Sequence, residues 1–118
     1  MNVLVTGGAG YIGSHVCKWL HSRGDTPVTY DNLSRGHRWL VRYGPLVEGD
    51  LLDSQKIRQT LLDFKIEAVI HMAAFAYVSE SVHKPEHYYH NNVNGTLSLL
   101  RAMLETDVKK IVFSSTCA

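Results

Sequence analysis

A cluster of glycines near the N-terminus constrains the fold of this chain more than any other feature. Gly8, Gly10 and Gly13 satisfy the pattern Gly-x-Gly-x-x-Gly, and Gly7 with the last two satisfies the looser Gly-x-x-Gly-x-x-Gly. An aliphatic run at 3–6 precedes the cluster, and apolar residues at helical spacing follow it. Glycine permits a tight turn and leaves the backbone bare, so an anion can approach the unpaired amides at a helix N-terminus. The cluster therefore predicts a strand–turn–helix unit whose turn binds a diphosphate.

An acidic residue at the end of the next predicted strand strengthens this interpretation. Residues 27–31 form that strand, and Asp31 ends it. A carboxylate at this position accepts hydrogen bonds from the hydroxyls of an adenosine ribose, and it repels a ribose 2′-phosphate. The pattern therefore favours NAD over NADP. Arg35 lies close by and leaves the alternative open, because an arginine can bind such a phosphate. An ordinary glycine-rich turn is the alternative to the nucleotide interpretation.

Strand-like and helix-like segments alternate along the whole chain, which is typical of βαβ units with a parallel sheet and helices on both faces. The predicted strands are 3–6, 27–31, 46–48, 68–71 and 110–114. The fold class is thus α/β, a Rossmann-type doubly wound parallel sheet that stops after about five strands. We expect residues 1–118 to form one NAD-binding domain that is incomplete, with a separate substrate domain absent.

Two further helices are predicted after the one that follows the glycines. Asp53 or Ser54 caps the second, and the third begins close to Pro85 and Glu86. The predicted apolar face of the second helix comprises Ile57, Leu61 and Leu62, and that of the third comprises Tyr89, Val93, Leu97, Leu100 and Leu104.

The residues that follow the third, fourth and fifth predicted strands are also candidates for the site, because ligands lie at the carboxyl ends of parallel strands. Asp50 follows the third strand, where it can accept from an adenine amino group or simply serve as a helix N-cap or loop aspartate. The residues after the fourth strand are expected to line the groove; they are Met72, Ala73, Ala74, Phe75 and Ala76. After the fifth strand, a hydroxyl among 114–116 can donate to a reacting oxygen or be satisfied locally.

Composition excludes several classes of protein. Twelve basic residues against eleven acidic ones give a net charge of +1, which argues against a nucleic-acid partner. The sequence contains neither a long apolar run nor a signal-peptide pattern, so we expect no membrane partner and no export. Two cysteines form no disulfide framework, so a cytoplasmic location is expected.

The histidines do not predict a metal centre. His83, His87 and His90 are spaced for one helical face, but a proline interrupts the span and no thiolate or carboxylate completes a ligand set. His71, at the end of a hydrophobic strand, is predicted to be a packed, hydrogen-bonded core residue. Cys17 is predicted to be a buried, inert thiol.

Four segments of the chain resemble the extended short-chain dehydrogenase/reductase family, namely residues 5–15, 31–34, 49–51 and 73–96. The last segment, with Glu-Ser-Val, Lys-Pro, Tyr-Tyr and Asn-Asn-Val-Asn-Gly-Thr, is similar to the epimerase branch of that family. Related dehydratases usually have Thr-Asp-Glu at the end of the fifth strand, whereas here Thr116 precedes Cys and Ala.

The resemblance implies an activity and a set of residue roles. The activity is the interconversion of UDP-galactose and UDP-glucose through transient oxidation at C4, with NAD as cofactor, a UDP-sugar as substrate and a homodimer as the assembly. Thr116 matches the catalytic Ser/Thr of the family. The implied cofactor-binding residues are Gly7, Gly10, Tyr11, Ile12, Gly13, Asp31, Asn32, Leu33, Ser34, Arg35, Gly36, Asp50, Leu51, Met72, Ala73, Ala74, Phe75, Ala76 and Asn91.

This sequence departs from the family pattern at three places. Ala76 stands where some epimerases carry a lysine, and Ser79 stands where glycine is common. None of the six tyrosines has a lysine four residues later, so the family's Tyr-x-x-x-Lys pair is absent. We therefore expect this chain by itself to lack epimerase activity, because its general base is missing. The alternatives are a non-catalytic dinucleotide-binding module and another sugar-nucleotide reductase or epimerase of the same family.

Overall fold

Five parallel strands form the centre of the molecule in the order β3-β2-β1-β4-β5. The computed structural model describes residues 1–73, 86 and 90–114. The strands are β1 (Asn2–Thr6), β2 (Thr26–Asp31), β3 (Leu46–Glu48), β4 (Ala68–His71) and β5 (Ile111–Phe113). All five predicted strands are confirmed, with bounds shifted by one residue in three of them.

Among the described residues, three helices connect the strands: α1 (Tyr11–Ser22), α2 (Ser54–Asp63) and α3 (Gly95–Glu105). A π-helical turn, His90–Asn94, leads directly into α3, and a short 3-10 turn, Arg38–Leu40, lies in the loop between β2 and β3. Asp53 caps α2 as predicted, because its side chain accepts from the Lys56 amide. The predicted start near Pro85 lies outside the described residues, whereas Glu86 is helical.

Alternate residues of the central strands face opposite sides of the sheet, and each side has its own core. On one side Leu4, Val28 and Val69 pack against buried residues of α2 and α3. On the other side Val3 and Val5 pack against α1. Helices therefore cover both faces, as a parallel sheet requires, and the predicted α/β fold class is confirmed.

The predicted apolar face of α2 was wrong in part, and the predicted apolar face of α3 lies on the exposed side of that helix. Ile57 and Leu61 of α2 are buried as expected, but Leu62 is 50% exposed because it is rotated about 100° from Leu61 around the helix. In α3 the buried apolar side chains are those of Leu99, Ala102 and Met103, which belong to the same core as buried residues of α2. The predicted stripe is exposed instead at Val93, Leu97, Leu100 and Leu104, and Tyr89 lies outside the described residues. Helical spacing alone does not choose the buried face, because α3 is apolar on two sides.

Across the described part of the chain, no helix has the length and apolar character that a membrane crossing requires.

Candidate functional site

A cleft opens at the carboxyl edge of the sheet, beyond the ends of β1, β2 and β4. The strand order changes direction here, because β2 and β3 lie on one side of β1 whereas β4 and β5 lie on the other. Ligands of such sheets bind where the strand order changes direction. The residues that line the cleft are Gly7, Gly10, Tyr30, Asp31, Asn32, Ser34, Arg35, Gly36, Gly49, Leu51, Met72 and Ala73.

The turn between β1 and α1 is held tightly against the end of β4. Gly7 has a φ of 75°, and a Cβ there would lie 2.9 Å from the Ala73 amide nitrogen. A Cβ at Gly13 would lie 2.1 Å from the Gly7 carbonyl oxygen. Gly10 is the N-cap of α1, with no side-chain cap and no acidic residue in the first turn. The positive end of this helix is therefore available to an anion.

Asp31 ties this turn to the loop that follows β2. The residue is 9% exposed, and one carboxylate oxygen accepts from the Ala9 amide at 3.0 Å while the other accepts from the Leu33 amide at 2.8 Å. Each carboxylate oxygen has a second lone pair, so the group can still accept from a ligand hydroxyl. A phosphate at the same place would meet a carboxylate of like charge.

The loop after β2 packs directly on the glycine turn. A Cβ at Gly36 would lie 2.7 Å from the Ala9 carbonyl, and the His37 amide donates to the Ala9 carbonyl oxygen at 2.9 Å. Ser34 and Arg35 of this loop line the cleft. Arg35 therefore lies in the same cleft as Asp31. The alternative that it contacts a ribose 2′-phosphate remains open.

Asp50 is an exposed loop residue rather than a helix cap. One of its carboxylate oxygens accepts from the Leu52 amide at 2.9 Å, whereas Asp53 caps α2. Gly49 and Leu51 on either side of it line the cleft. A contact from Asp50 to an adenine amino group stays a prediction.

Tyr30 and Gly49 line the cleft, although neither was predicted to be a site residue. Tyr30 is 1% exposed, and its hydroxyl donates to the Asp50 carbonyl oxygen at 2.7 Å. Burial raises the Tyr30 pKa far above its ordinary value, with the charges of Asp53 and Asp50 adding to the effect, so the hydroxyl remains a donor. A Cβ at Gly49 would lie 2.5 Å from the Tyr30 hydroxyl oxygen, which explains the glycine. The glycine after β3 was the available signal.

The other predicted cofactor residues that the structure describes are not among those that line the cleft. Tyr11 and Ile12, in the first turn of α1, are 72% and 56% exposed, and Gly13 is buried behind them. Leu33 adopts a positive φ of 62° in the loop after β2. Asn91 belongs to the π-helical turn. The positions outside the described residues are Ala74, Phe75, Ala76 and Thr116.

Two predictions about side chains away from the cleft are confirmed. His71 is 3% exposed and is hydrogen-bonded through both ring nitrogens, and burial lowers its pKa to about 4. Cys17 is buried with its sulfur 3.5 Å from the Thr29 hydroxyl, and burial raises its pKa, which keeps the thiol protonated. His83 and His87 lie outside the described residues. Among the residues that are described, no group of three acidic, histidine or cysteine side chains is placed to hold a metal ion.

Curated relatives of the chain are UDP-glucose 4-epimerases. The enzyme of Rhizobium meliloti (strain 1021) is 51% identical over 117 residues, which are 99% of this chain and 36% of the relative. That of Klebsiella pneumoniae is 46% identical over 123 residues, covering 98% of this chain and 88% of the relative. The chain spans 36% of the length of the Rhizobium enzymes that it matches.

Solved structures of UDP-glucose 4-epimerases have the same fold. The enzyme from Brucella ovis in complex with NAD has a TM-score of 0.96 and 54% identity, covering 98% of this chain and 36% of that one. The NAD complex of the Thermus thermophilus enzyme has a TM-score of 0.94 and 41% identity, covering 98% of this chain and 38% of that one. The NAD dependent epimerase/dehydratase family matches residues 3–118. The sequence resemblance is thereby confirmed: this chain, with its glycine turn and acidic strand end, belongs to the NAD dependent epimerase/dehydratase family.

Proposed function

We propose that residues 1–118 are the dinucleotide-binding unit of an enzyme that interconverts UDP-galactose and UDP-glucose. The observation that carries the proposal is the convergence of the glycine turn, Asp31 and the end of β4 on one cleft. The proposal is also supported by the 51% identity to a UDP-glucose 4-epimerase over almost the whole chain.

The groups in the cleft fit NAD. The bare backbone at Gly10, the N-cap of α1, suits a diphosphate, and Asp31 offers carboxylate oxygens to ribose hydroxyls. Leu51 lines the part of the cleft assigned to adenine by resemblance. When bound, NAD supplies an acceptor for the hydride at C4 of the sugar and returns it.

Other parts of the proposed activity depend on residues outside the cleft. By resemblance, Thr116 holds the reacting oxygen with a hydrogen bond. The Tyr-x-x-x-Lys pair that serves as general base in the family is absent from these residues. The chain by itself is therefore proposed to bind NAD without epimerase turnover.

A homodimer is part of the same proposal. The exposed stripe, defined as Val93 of the π-helical turn with Leu97, Leu100 and Leu104 of α3, presents adjacent apolar side chains on one helix face. The same face of a second copy is its proposed occupant, because a two-fold axis lets one self-complementary patch cover itself.

The proposed function is tested by titrating the chain with NADH and with NADPH, following nicotinamide fluorescence. We expect tighter binding of NADH, and we expect Asp31→Asn to weaken it by about tenfold or more, as loss of a charged hydrogen-bond partner does. The dissociation constant of NADPH divided by that of NADH does not depend on the fraction of the chain that is folded. A decrease of this ratio in Asp31→Asn therefore reports the loss of the charge itself. A coupled assay of the chain with UDP-galactose is expected to show no turnover.

Asp107→Asn is the matched control. Asp107 is an 83% exposed residue before β5, at the opposite edge of the sheet, and asparagine tolerates its φ of 61°. This variant is expected to bind both nucleotides as the unaltered chain does. Tighter binding of NADPH, or an unchanged ratio in Asp31→Asn, would contradict the proposal and favour an NADP-linked relative. A coding sequence that lacks Tyr-x-x-x-Lys beyond residue 118 would favour a non-catalytic module.

A further inference from the structure

His71 lies outside the cleft and is enclosed by three elements. Thr6 of β1, Thr96 of α3 and Phe113 of β5 contact its ring, the last with a centroid distance of 5.5 Å. None of these three side chains carries a charge. The proton on this imidazole is therefore determined by its hydrogen bonds and by burial rather than by an ion pair.

The hydrogen bonds at Thr6 determine the role of one ring nitrogen. The Thr6 hydroxyl oxygen accepts from the Met72 and Ala73 amides at 3.1 and 3.2 Å. A hydroxyl oxygen has two lone pairs. The Ala73 amide uses one, and the Met72 amide, whose proton is shared with the Thr6 carbonyl oxygen at 3.0 Å, occupies the other. The proton of the hydroxyl is left for Nδ1 of His71, which lies 2.6 Å away. Nδ1 is therefore an acceptor.

The hydrogen bonds at Thr96 determine the role of the other nitrogen. The Thr96 hydroxyl donates its proton to the Asn92 carbonyl oxygen at 2.6 Å. Towards Nε2 of His71, at 3.0 Å, it can then only accept. Nε2 therefore carries the proton, and the contacts at Thr6 are consistent with the same neutral tautomer.

These contacts form one directional chain of hydrogen bonds. It runs from the Met72 and Ala73 amides through Thr6, His71 and Thr96 to the carbonyl of Asn92. The two amides belong to residues that line the cleft, and Asn92 lies within the π-helical turn His90–Asn94. One end of the chain therefore lies at the cleft and the other at the turn that precedes α3.

We propose that His71 is a positioning residue that couples the π-helical turn His90–Asn94 to the cleft wall at Met72 and Ala73. The Nε2–H tautomer of His71 fixes the position of this turn, which includes Asn91, relative to the end of β4. It thereby influences nucleotide affinity without touching the nucleotide. The effect on affinity rests on the proposed function, whereas the tautomer and the coupling do not.

The tautomer is tested by long-range ¹H–¹⁵N NMR of the histidine rings in the nucleotide-free chain at pH 7. We expect a protonated Nε2 and an unprotonated Nδ1 for His71, unchanged down to pH 5. A protonated Nδ1 would overturn the proposal, because a neutral ring would then have no proton on Nε2 to donate to Thr96.

The coupling is tested with Thr96→Val, which removes the hydroxyl at nearly constant volume. We expect the backbone amide resonances of Met72 and Ala73 to shift in this variant and to return in Thr96→Ser. Thr60→Val is the matched control, since Thr60 is also a helical threonine and donates to the carbonyl four residues earlier, Lys56, at 2.7 Å. If the valine variants only lose stability locally, both should be destabilised while the amide resonances of Met72 and Ala73 stay unshifted. That result would overturn the coupling.

The same variants are then titrated with NAD. We expect Thr96→Val to raise the dissociation constant about three- to tenfold, as coupling through packed networks does, and Thr96→Ser and Thr60→Val to leave it nearly unchanged. An unchanged constant in Thr96→Val, with unaltered protein binding NAD, would overturn the influence on affinity. If the unaltered chain binds no NAD, the proposed function fails, and the amide resonances alone decide the coupling.

Discussion

At the scale of single residues, two buried ionisable side chains organise the carboxyl edge of the sheet. Asp31 accepts two backbone amides and joins the glycine turn to the loop after β2. His71 joins β1, β4 and α3 through hydroxyl groups. Both satisfy buried polar groups that would otherwise cost about 1–3 kcal/mol each. They hold in place the backbone that forms the cleft.

His71 makes stability depend on pH. Its folded-state pKa of about 4 lies below the ordinary 6.5, so below pH 6.5 the unfolded chain takes up a proton that the folded chain does not. The contribution is fully present above about pH 6.5 and is lost as the pH falls towards 4, with a total of about 3 kcal/mol. Urea unfolding at pH 7 and pH 4.5 should show a smaller acid loss in His71→Gln than in the unaltered chain. Equal losses would contradict this assignment.

At the scale of elements, the turn between β1 and α1 is the most constrained segment of the site. The helix start, the end of β4 and the loop after β2 all meet within it. Gly10 in this turn and Gly13 in the helix that follows it are glycines for different physical reasons. Gly13 has no room for a side chain, whereas Gly10 has a backbone conformation that alanine can adopt and a nearest contact of 3.3 Å. The first is required by packing, and the second leaves the cleft open.

This difference predicts opposite outcomes for two alanine variants. Gly13→Ala should lower the free energy of unfolding by about 1–3 kcal/mol or more through overpacking, although alanine normally stabilises a helix. Gly10→Ala should change stability by less than about 1 kcal/mol and should weaken NAD binding, because its methyl group occupies the approach to the amides. Thermal unfolding and nucleotide titration measure the two effects. A stable Gly13→Ala, or full affinity in Gly10→Ala, would contradict the assignment.

At the scale of the whole molecule, the sheet separates two cores and α3 has two apolar faces. One face of α3 packs on α2 through residues that include Leu99 and Met103. The exposed stripe lies on the other face, with Leu104 78% exposed. Apolar side chains grouped in this way are typical of a surface that is covered by another molecule.

The exposed stripe predicts self-association of the chain. Leu97→Glu combined with Leu104→Glu should raise the monomer fraction in analytical ultracentrifugation, because two carboxylates then face each other across the proposed contact. The fold should be retained, since both positions are exposed. Leu62→Glu, at an exposed leucine of α2, is the control and should not alter association. A monomeric unaltered chain at high concentration would contradict the homodimer.

Signals carried by neighbouring residues were sufficient for the strands and for the main residues of the cleft. Continuous apolar runs mark strands buried on both faces, and glycines followed by a helical pattern mark the turn. Asp31 was assigned correctly to the end of β2 because its position follows from the strand before it. The roles assigned to individual cofactor residues stay predictions.

Only the tertiary structure decided which surfaces and side chains meet. The sequence could not choose the buried face of α3, because both faces have helical spacing and the choice depends on where α2 lies. It could not show that His71 joins Thr6, 65 residues earlier, to Thr96, 25 residues later. Local signals reflect the preferences of adjacent residues, whereas these contacts arise from the strand order, which brings distant segments to one edge of the sheet.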